Sequence, residues 1–153
     1  MTITGGTIEN NSDGGILNDG TINISGDPTI SGNSSCNIYL PTGKTITVDG
    51  ALSNTTPIGI TMQTPGDFTN EYAGAYAYFV SDNTDYEVID NSNKASLRSC
   101  WAGLNVLLSK GGTISLSKDY KAVSTDGHLL VESCKTVTLD LNGHTLNRSL
   151  GSA

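Results

Sequence analysis

The sequence predicts an all-β fold of the solenoid class, a right-handed parallel β-helix, and three observations lead there. A short cassette of a turn residue, a Thr and an aliphatic residue recurs along the chain. The cassettes resemble one another, as stacked coils must. Their spacing also falls into two groups, short hops within a coil and longer hops from coil to coil.

The first cassettes are Gly6-Thr7-Ile8, Gly20-Thr21-Ile22-Asn23-Ile24 and Pro28-Thr29-Ile30. Lys44-Thr45-Ile46-Thr47-Val48 follows, and Gly112-Thr113-Ile114-Ser115-Leu116 and Lys135-Thr136-Val137-Thr138-Leu139 return late in the chain. Such alternation puts Ile, Val and Leu on one face of a strand and Thr or Ser on the other. Turn residues follow nearly every run, as in Ser25-Gly26-Asp27, Ser31-Gly32-Asn33, Asp49-Gly50 and Asn142-Gly143. Gly, Asn and Asp tolerate the positive φ that a sharp turn needs. The short hops run from Ile22 to Ile30 and from Val137 to Leu146; the long ones run from Ile8 to Ile22, Ile30 to Ile46 and Ile114 to Val137. Each residue ordered in a coil loses roughly 1–2 kcal/mol of backbone entropy. The few inward aliphatics of one coil return only about 1.5–3 kcal/mol each. Stability must therefore come from neighbours sharing ladders and side-chain stacks.

Composition supports short strands over disorder. Charged residues are 15% of the chain, and the 18 Gly come with only 4 Pro. Gly, Ser, Thr and Asn fill the polar share, with Ile, Val and Leu spread evenly among them, a pattern of strands joined by tight turns.

The middle of the chain departs from the cassette. Phe68, Tyr72, Tyr76, Tyr78, Phe79 and Tyr86 lie between 63 and 98. A β-hairpin is expected near 86–98, with Tyr86-Glu87-Val88-Ile89 and Lys94-Ala95-Ser96-Leu97 flanking a four-residue turn, Asp90-Asn91-Ser92-Asn93. One amphipathic helix is expected near 99–110. Cys100, Trp101, Leu104, Leu107 and Leu108 share a face, Ser99 supplies the N-cap, and Gly111-Gly112 ends it. A helix before solenoid coils has a physical task, because an open end exposes unpaired backbone groups and apolar core. The expected organisation is thus 1–62, the last coils of one β-helix; 63–98, an aromatic-rich linking or capping segment; and 99–153, a capping helix and the first coils of a second β-helix. The pattern breaks off in mid-course at Leu150-Gly151-Ser152-Ala153, as a fragment of a larger protein would.

The run Trp101-Ala102-Gly103-Leu104, then Gly111 to Leu116, then Lys135-Thr136-Val137-Thr138-Leu139-Asp140-Leu141-Asn142-Gly143-His144-Thr145-Leu146, resembles the opening of pectate-lyase-like right-handed β-helix domains of bacterial surface proteins. Residues 14–52, with Gly14-Gly15-Ile16, Gly20 to Gly26 and Ile30-Ser31-Gly32-Asn33, resemble repeats of polymorphic outer-membrane and autotransporter-adhesin proteins. The two stretches cover about two-thirds of the chain. The resemblance implies an extracellular, multi-domain adhesin or surface-array protein, and says far more of fold than of activity.

The net charge is −7 with 8 Lys plus Arg, and no basic stripe exists. Nucleic acid is therefore not an expected partner, nor is an anionic membrane. No apolar run approaches the ~18 residues that a spanning helix needs. The N-terminal Met1-Thr2-Ile3-Thr4-Gly5-Gly6 has neither the basic nor the apolar region of a signal peptide, so an exported protein would carry its signal upstream. Cys36, Cys100 and Cys134 form neither a disulfide framework nor a metal knuckle; they read as small apolar core residues, with a Cys100–Cys134 bridge as the other reading.

Polysaccharide lyases need clustered carboxylates and a base, and hydrolases need a carboxylate pair. Asp13, Asp19, Asp27, Asp49, Asp82, Asp90 and Asp126 are mostly isolated and lie by Gly or Asn, where turn chemistry accounts for them. Asp140 and His144 suggest an acid/base pair on one reading, and the outward face and turn of a fold motif on the other. His128 and His144 lack zinc-site spacing, and no Gly-x-Ser-x-Gly occurs. No catalytic residue, metal ligand or cofactor is expected. Tyr72, Tyr76 and Tyr78 are carbohydrate-stacking candidates if exposed together; packed, they form a satellite core. Trp101 belongs to the core. The expected function is a non-catalytic structural or adhesive module with glycans or a host surface as partner, and with self-association through exposed coil edges. The alternatives are a fragment of a polysaccharide-degrading enzyme, a carbohydrate-binding β-helix, or an ice- or crystal-binding solenoid. The last needs a constant coil length, which the uneven spacing opposes.

Overall fold

The computed structural model describes residues 1–148, so the C-terminal Leu150-Gly151-Ser152-Ala153 lies outside the described residues. Among the described residues the chain is rich in β-structure, with several small parallel sheets and one α-helix. The described residues divide into two compact units: residues 1–84 with 88–97, and 85–87 with those from 98 on.

In the first unit the strands are β1 (Thr2–Ile3), β2 (Thr7–Glu9), β3 (Ile16–Leu17), β4 (Ile22–Gly26), β5 (Thr29–Ser31), β6 (Ile38–Leu40), β7 (Ile46–Leu52), β8 (Ile58–Met62) and β9 (Phe79–Ser81). Successive strands do not pair until β8 and β9, which are joined by a long connection. The sheets run β1-β4-β7, β2-β5 and β3-β6-β8-β9, and every one of these pairings is parallel. Partners are separated by a nearly constant length of chain: Ile3 faces Ile24, Ile8 faces Ile30, Ile22 faces Ile46, and Ile38 faces Ile60. The register shifts at a bulge after Ile24, where Gly26 meets Leu52.

This register sets like on like. Ile3, Ile24 and Val48 form one column, and Ile16, Ile38 and Ile60 another. Alternation within each strand turns these aliphatics to one face; Ile24, Ile30, Ile38, Leu40, Ile46, Ile58 and Ile60 are fully enclosed, and Ile3 and Ile16 are half-buried. The cassettes thus do form strands, but the hop from Ile8 to Ile22 is not a step between paired strands. The partner of Ile8 is Ile30, because other short strands intervene before the chain returns to the same edge. The aromatic segment contributes to this core: Phe68 is fully buried, and its ring meets that of Phe79 edge-on at 5.3 Å and 88°.

The expected hairpin is present as β10 (Tyr86–Asn91) and β11 (Lys94–Ser99). Its turn is shorter than expected. Asp90 and Asn91 continue the strand, and only Ser92 and Asn93 turn, at φ 53° and 66°. Positive φ at both central residues is the type I′ geometry, whose twist suits a two-residue hairpin. Asp90 Oδ1 accepts from the Asn93 amide at 3.0 Å.

In the second unit α1 (Cys100–Lys110) starts where expected, with Ser99 Oγ accepting from the Ala102 amide at 3.0 Å. Gly111, at φ 78°, ends it. Cys100, Trp101, Leu104 and Leu108 are buried. Leu107 is not: it lies at the margin of the apolar stripe and is 41% exposed. After the helix come β12 (Gly112–Ser115), β13 (Tyr120–Lys121), β14 (Val137–Asp140) and β15 (Leu146–Asn147). They pair in parallel as β12-β14 and β13-β15, with Ile114 facing Leu139 and Tyr120 facing Leu146. The helix packs on Ile114, Leu116, Tyr120 and Ala122, with Leu129, Val137, Leu139 and Leu146 at the margin.

The cysteines differ from the expectation of uniform core residues. Cys100 is buried, Cys36 half-buried and Cys134 exposed, and no Cys100–Cys134 bridge forms. Cys134 sits at φ 64° in a turn closed by the Lys135 amide on the Glu132 carbonyl. That turn leaves its side chain outside the core.

Candidate functional site

The polar residues that the fold gathers are mostly asparagines, and they serve the backbone. Asn70 acts as a detached peptide group beside β7. Its Oδ1 accepts from the Val48 amide at 2.7 Å, and its Nδ2 donates to the Val48 carbonyl at 3.1 Å. Buried Asn33 receives the Asn11 amide and side chain on Oδ1, and donates to the carbonyls of Ile8 and Ser31. Asn18 donates to the Thr45 carbonyl, Asn54 to that of Tyr78, and Asn142 to that of Leu116. Each closes a backbone group that a short strand leaves open, at a place where an unpaired group costs about 1–3 kcal/mol. Turn chemistry alone accounts for such asparagines in the sequence. The recurrence of Asn11 and Asn33 at the interval that separates paired strands is the signal that marks their second role.

Asp82 closes a related network. Its carboxylate accepts from the Asn37 amide at 2.9 Å, from Asn37 Nδ2 at 2.6 Å and from Thr61 Oγ1 at 3.0 Å. Gly59 lies so close beneath Asp82 and Asn37 that a Cβ there would overlap both side chains. Cys36 is nearby, and burial, followed by the Asp82 charge, pushes its thiol up from the usual range.

The three tyrosines lie around a 3-10 turn, Ala75–Tyr78. Tyr76 is 43% exposed, whereas Tyr72 and Tyr78 are half-buried. A 3-10 helix has three residues per turn, so Tyr76 and Tyr78 leave the backbone in different directions. A sugar-stacking surface on this segment would centre on Tyr76.

In the second unit Asp126 organises the start of the helix. It accepts from Ser99 Oγ at 2.6 Å and from the Val123 amide at 2.8 Å. Trp101 Nε1 donates to the neighbouring Gly127 carbonyl at 3.0 Å, so the buried indole has its partner. Tyr86 is pushed above its ordinary range by burial, then by Asp126 and Asp85. Lys118 Nζ lies 2.8 Å from Cys100 Sγ and 5.6 Å from the centre of the Tyr120 ring. Burial raises the Cys100 thiol, and the hydrogen bond and charge of Lys118 oppose that rise.

Asp140 and His144 do not form the acid/base pair that one reading of the sequence allows. Asp140 Oδ1 accepts from the Asn142 amide at 2.8 Å and shapes the turn. His144 Nδ1 stands 3.5 Å from Asp119. The Asp119 carboxyl is held below its ordinary value chiefly by the backbone amide of Thr145, with a smaller effect of His144. Among the surface depressions are two shallow ones of about 350 and 340 Å³. Asn105, Val106, Ser109, His128, Leu130 and Glu132 line the larger, and Asp13, Gly15, Leu17, Cys36 and Tyr39 are among those lining the other. Among the described residues no group of three His, Cys, Asp or Glu is placed to hold a metal ion, and no helix is long and apolar enough to cross a membrane. No family model, curated protein or solved structure matches this chain.

Proposed function

We propose that the chain is part of a right-handed parallel β-helix that serves as a non-catalytic structural or adhesive module of a large bacterial cell-surface protein. The observation that carries this reading is the register. Short parallel strands meet partners one return of the chain away, like aliphatic on like. A regular parallel return of this kind is the economy of a coil, and crossovers between parallel strands are right-handed in nearly all folds. Asparagines that close the ladder ends, and acidic residues absorbed into turns, are what a scaffold requires. The pectate-lyase-like resemblance of the segment from Trp101 to Leu146 agrees with an extracellular setting. Glycans or a host surface are its partners, with Tyr76 the stacking residue, and exposed strand edges favour self-association.

The test is to incubate the full chain with immobilised bacterial and host glycans, beside Tyr76→Ala, and with polygalacturonate. Retention on a glycan that Tyr76→Ala weakens about tenfold would support adhesion through this segment; one aromatic stacking contact is worth roughly 0.5–1.5 kcal/mol. Release of unsaturated oligosaccharides from polygalacturonate would overturn the non-catalytic reading in favour of a degrading enzyme. A monomer at high concentration in size-exclusion chromatography would remove the self-association.

A further inference from the structure

The contact between Cys100 and Lys118 is short for its atoms. Nζ and Sγ lie 2.8 Å apart, a separation usual for N–H···O, whose mode is about 2.9–3.0 Å. Sulfur is larger than oxygen, so an N–H···S hydrogen bond settles several tenths of an ångström further out. A direct S–N bond would be far shorter. A separation between these two limits is that of two atoms joined through a single light atom.

We propose that Cys100 and Lys118 form a covalent oxidative cross-link, Sγ–O–Nζ, with one bridging oxygen. The oxidant is dioxygen, a small apolar molecule suited to a site where Cys100 is only 1% exposed. Lys118 first gives its ammonium proton to water. The S–H bond and one N–H bond then break as S–O and O–N form. One oxygen atom becomes the bridge, and the other leaves as water with the two hydrogens. Sulfur and nitrogen each give up an electron pair, and dioxygen takes up both.

The surroundings hold the two groups together. Cys100 is the first residue of α1, and its amide donates to the Asp85 carbonyl at 2.9 Å. The Lys118 ammonium is steadied against the Tyr120 ring, a favourable cation–π placement. The link would tie the start of the helix to the segment between β12 and β13, across the core that Trp101, Leu104 and Leu116 fill. It acts as a reversible, redox-dependent stitch in this unit.

The experiment uses the full chain with the other thiols removed by Cys36→Ser and Cys134→Ser, reduced and then held in air-saturated buffer. Intact mass and tryptic mapping should show the gain of one oxygen less two hydrogens. They should also show a species joining the Cys100 and Lys118 peptides, with cleavage after Lys118 lost. Dithiothreitol should restore the original mass, and the melting temperature should rise on oxidation and return on reduction. Lys118→Arg, which keeps the charge but not the primary amine, should show none of these changes. An unchanged mass would overturn the proposal. So would a full oxygen added to Cys100 that persists in Lys118→Arg, or a loss of two hydrogens alone. Should Lys118→Arg fail to fold, the peptide map of the Lys118 chain still decides.

Discussion

The same Thr-flanked cassette is buried to different depths in the two units. In the first, β4 lies between β1 and β7, and β6 between β3 and β8. Ile24, Ile38 and Ile60 in these stacks are fully enclosed, while their counterparts on the terminal strands, Ile3 and Ile16, are half-buried. In the second unit each strand from β12 to β15 has a single partner. Val137, Leu139 and Leu146 are only partly buried there, and the helix supplies much of the core. Local sequence does not set burial here, since Thr136-Val137-Thr138 and Thr45-Ile46-Thr47 are near equivalents. What covers the inner face does: Ile30 on β5 and Ile46 on β7 are fully enclosed although each strand has one partner in its sheet, Ile3 and Ile16 on the first strands are not, and in the second unit a helix with a Trp supplies the cover.

That Trp is where the contrast between the units is most exposed to test. Trp101→Ala is expected to destabilise the second unit by about 3–5 kcal/mol, the usual cost of emptying a buried aromatic site. Denaturant unfolding followed by hydrogen exchange on residues 100–122 measures it. A change below about 1 kcal/mol, far under the cost of such a cavity, would mean that the helix is dispensable.

A pair of substitutions isolates the role of this cover. Ile38→Ala should cost about 2–5 kcal/mol, and Ile16→Ala, at the in-register position on the terminal strand, clearly less. Equal losses in urea unfolding would contradict the dependence on how far each position is covered. Asn70→Ala comes next. It strands the amide and carbonyl of Val48, so about 1–3 kcal/mol is expected, with faster exchange of the Val48 amide as the specific readout.

The smallest effect is acidic. Asp119 titrates lower in the fold than its ordinary value of 3.8, because the Thr145 amide bonds its charged form. Its contribution is therefore present above that value and is lost as pH falls through the lower folded one. Asp119→Asn should flatten the acid limb of a melting-temperature profile, and the Thr145 amide resonance should titrate only in the unsubstituted chain.

Much of the fold is legible in the residues. The cassettes at Thr7, Ile22, Thr29, Ile46, Gly112 and Val137 all lie in or beside strands, and the helix cap at Ser99 follows from local chemistry. The strands at Ile38–Leu40, Ile58–Met62 and Phe79–Ser81 begin with no Thr-Ile cassette, so the recurring pattern does not reveal them. Pairing is hidden for another reason: a parallel partner one whole return of the chain away leaves no mark on local periodicity. Leu107 falls on the predicted apolar face yet stays exposed, because a helical stripe has margins and tertiary packing decides which margin is covered. The site is less legible than the fold. That Asp140 turns toward Asn142 and His144 toward Asp119, or that Lys118 reaches Cys100, depends on side-chain directions that spacing does not give.

The fold, and the function proposed from it, depend on like aliphatics stacking in parallel, one return of the chain apart. Interstrand nuclear Overhauser contacts on the isotopically labelled full chain would decide it. Backbone contacts in the staggered parallel pattern are predicted between Ile22 and Ile46, Ile38 and Ile60, and Ile114 and Leu139. Close Hα–Hα pairs between sequence-adjacent strands of the first unit, the mark of an antiparallel meander, would contradict it.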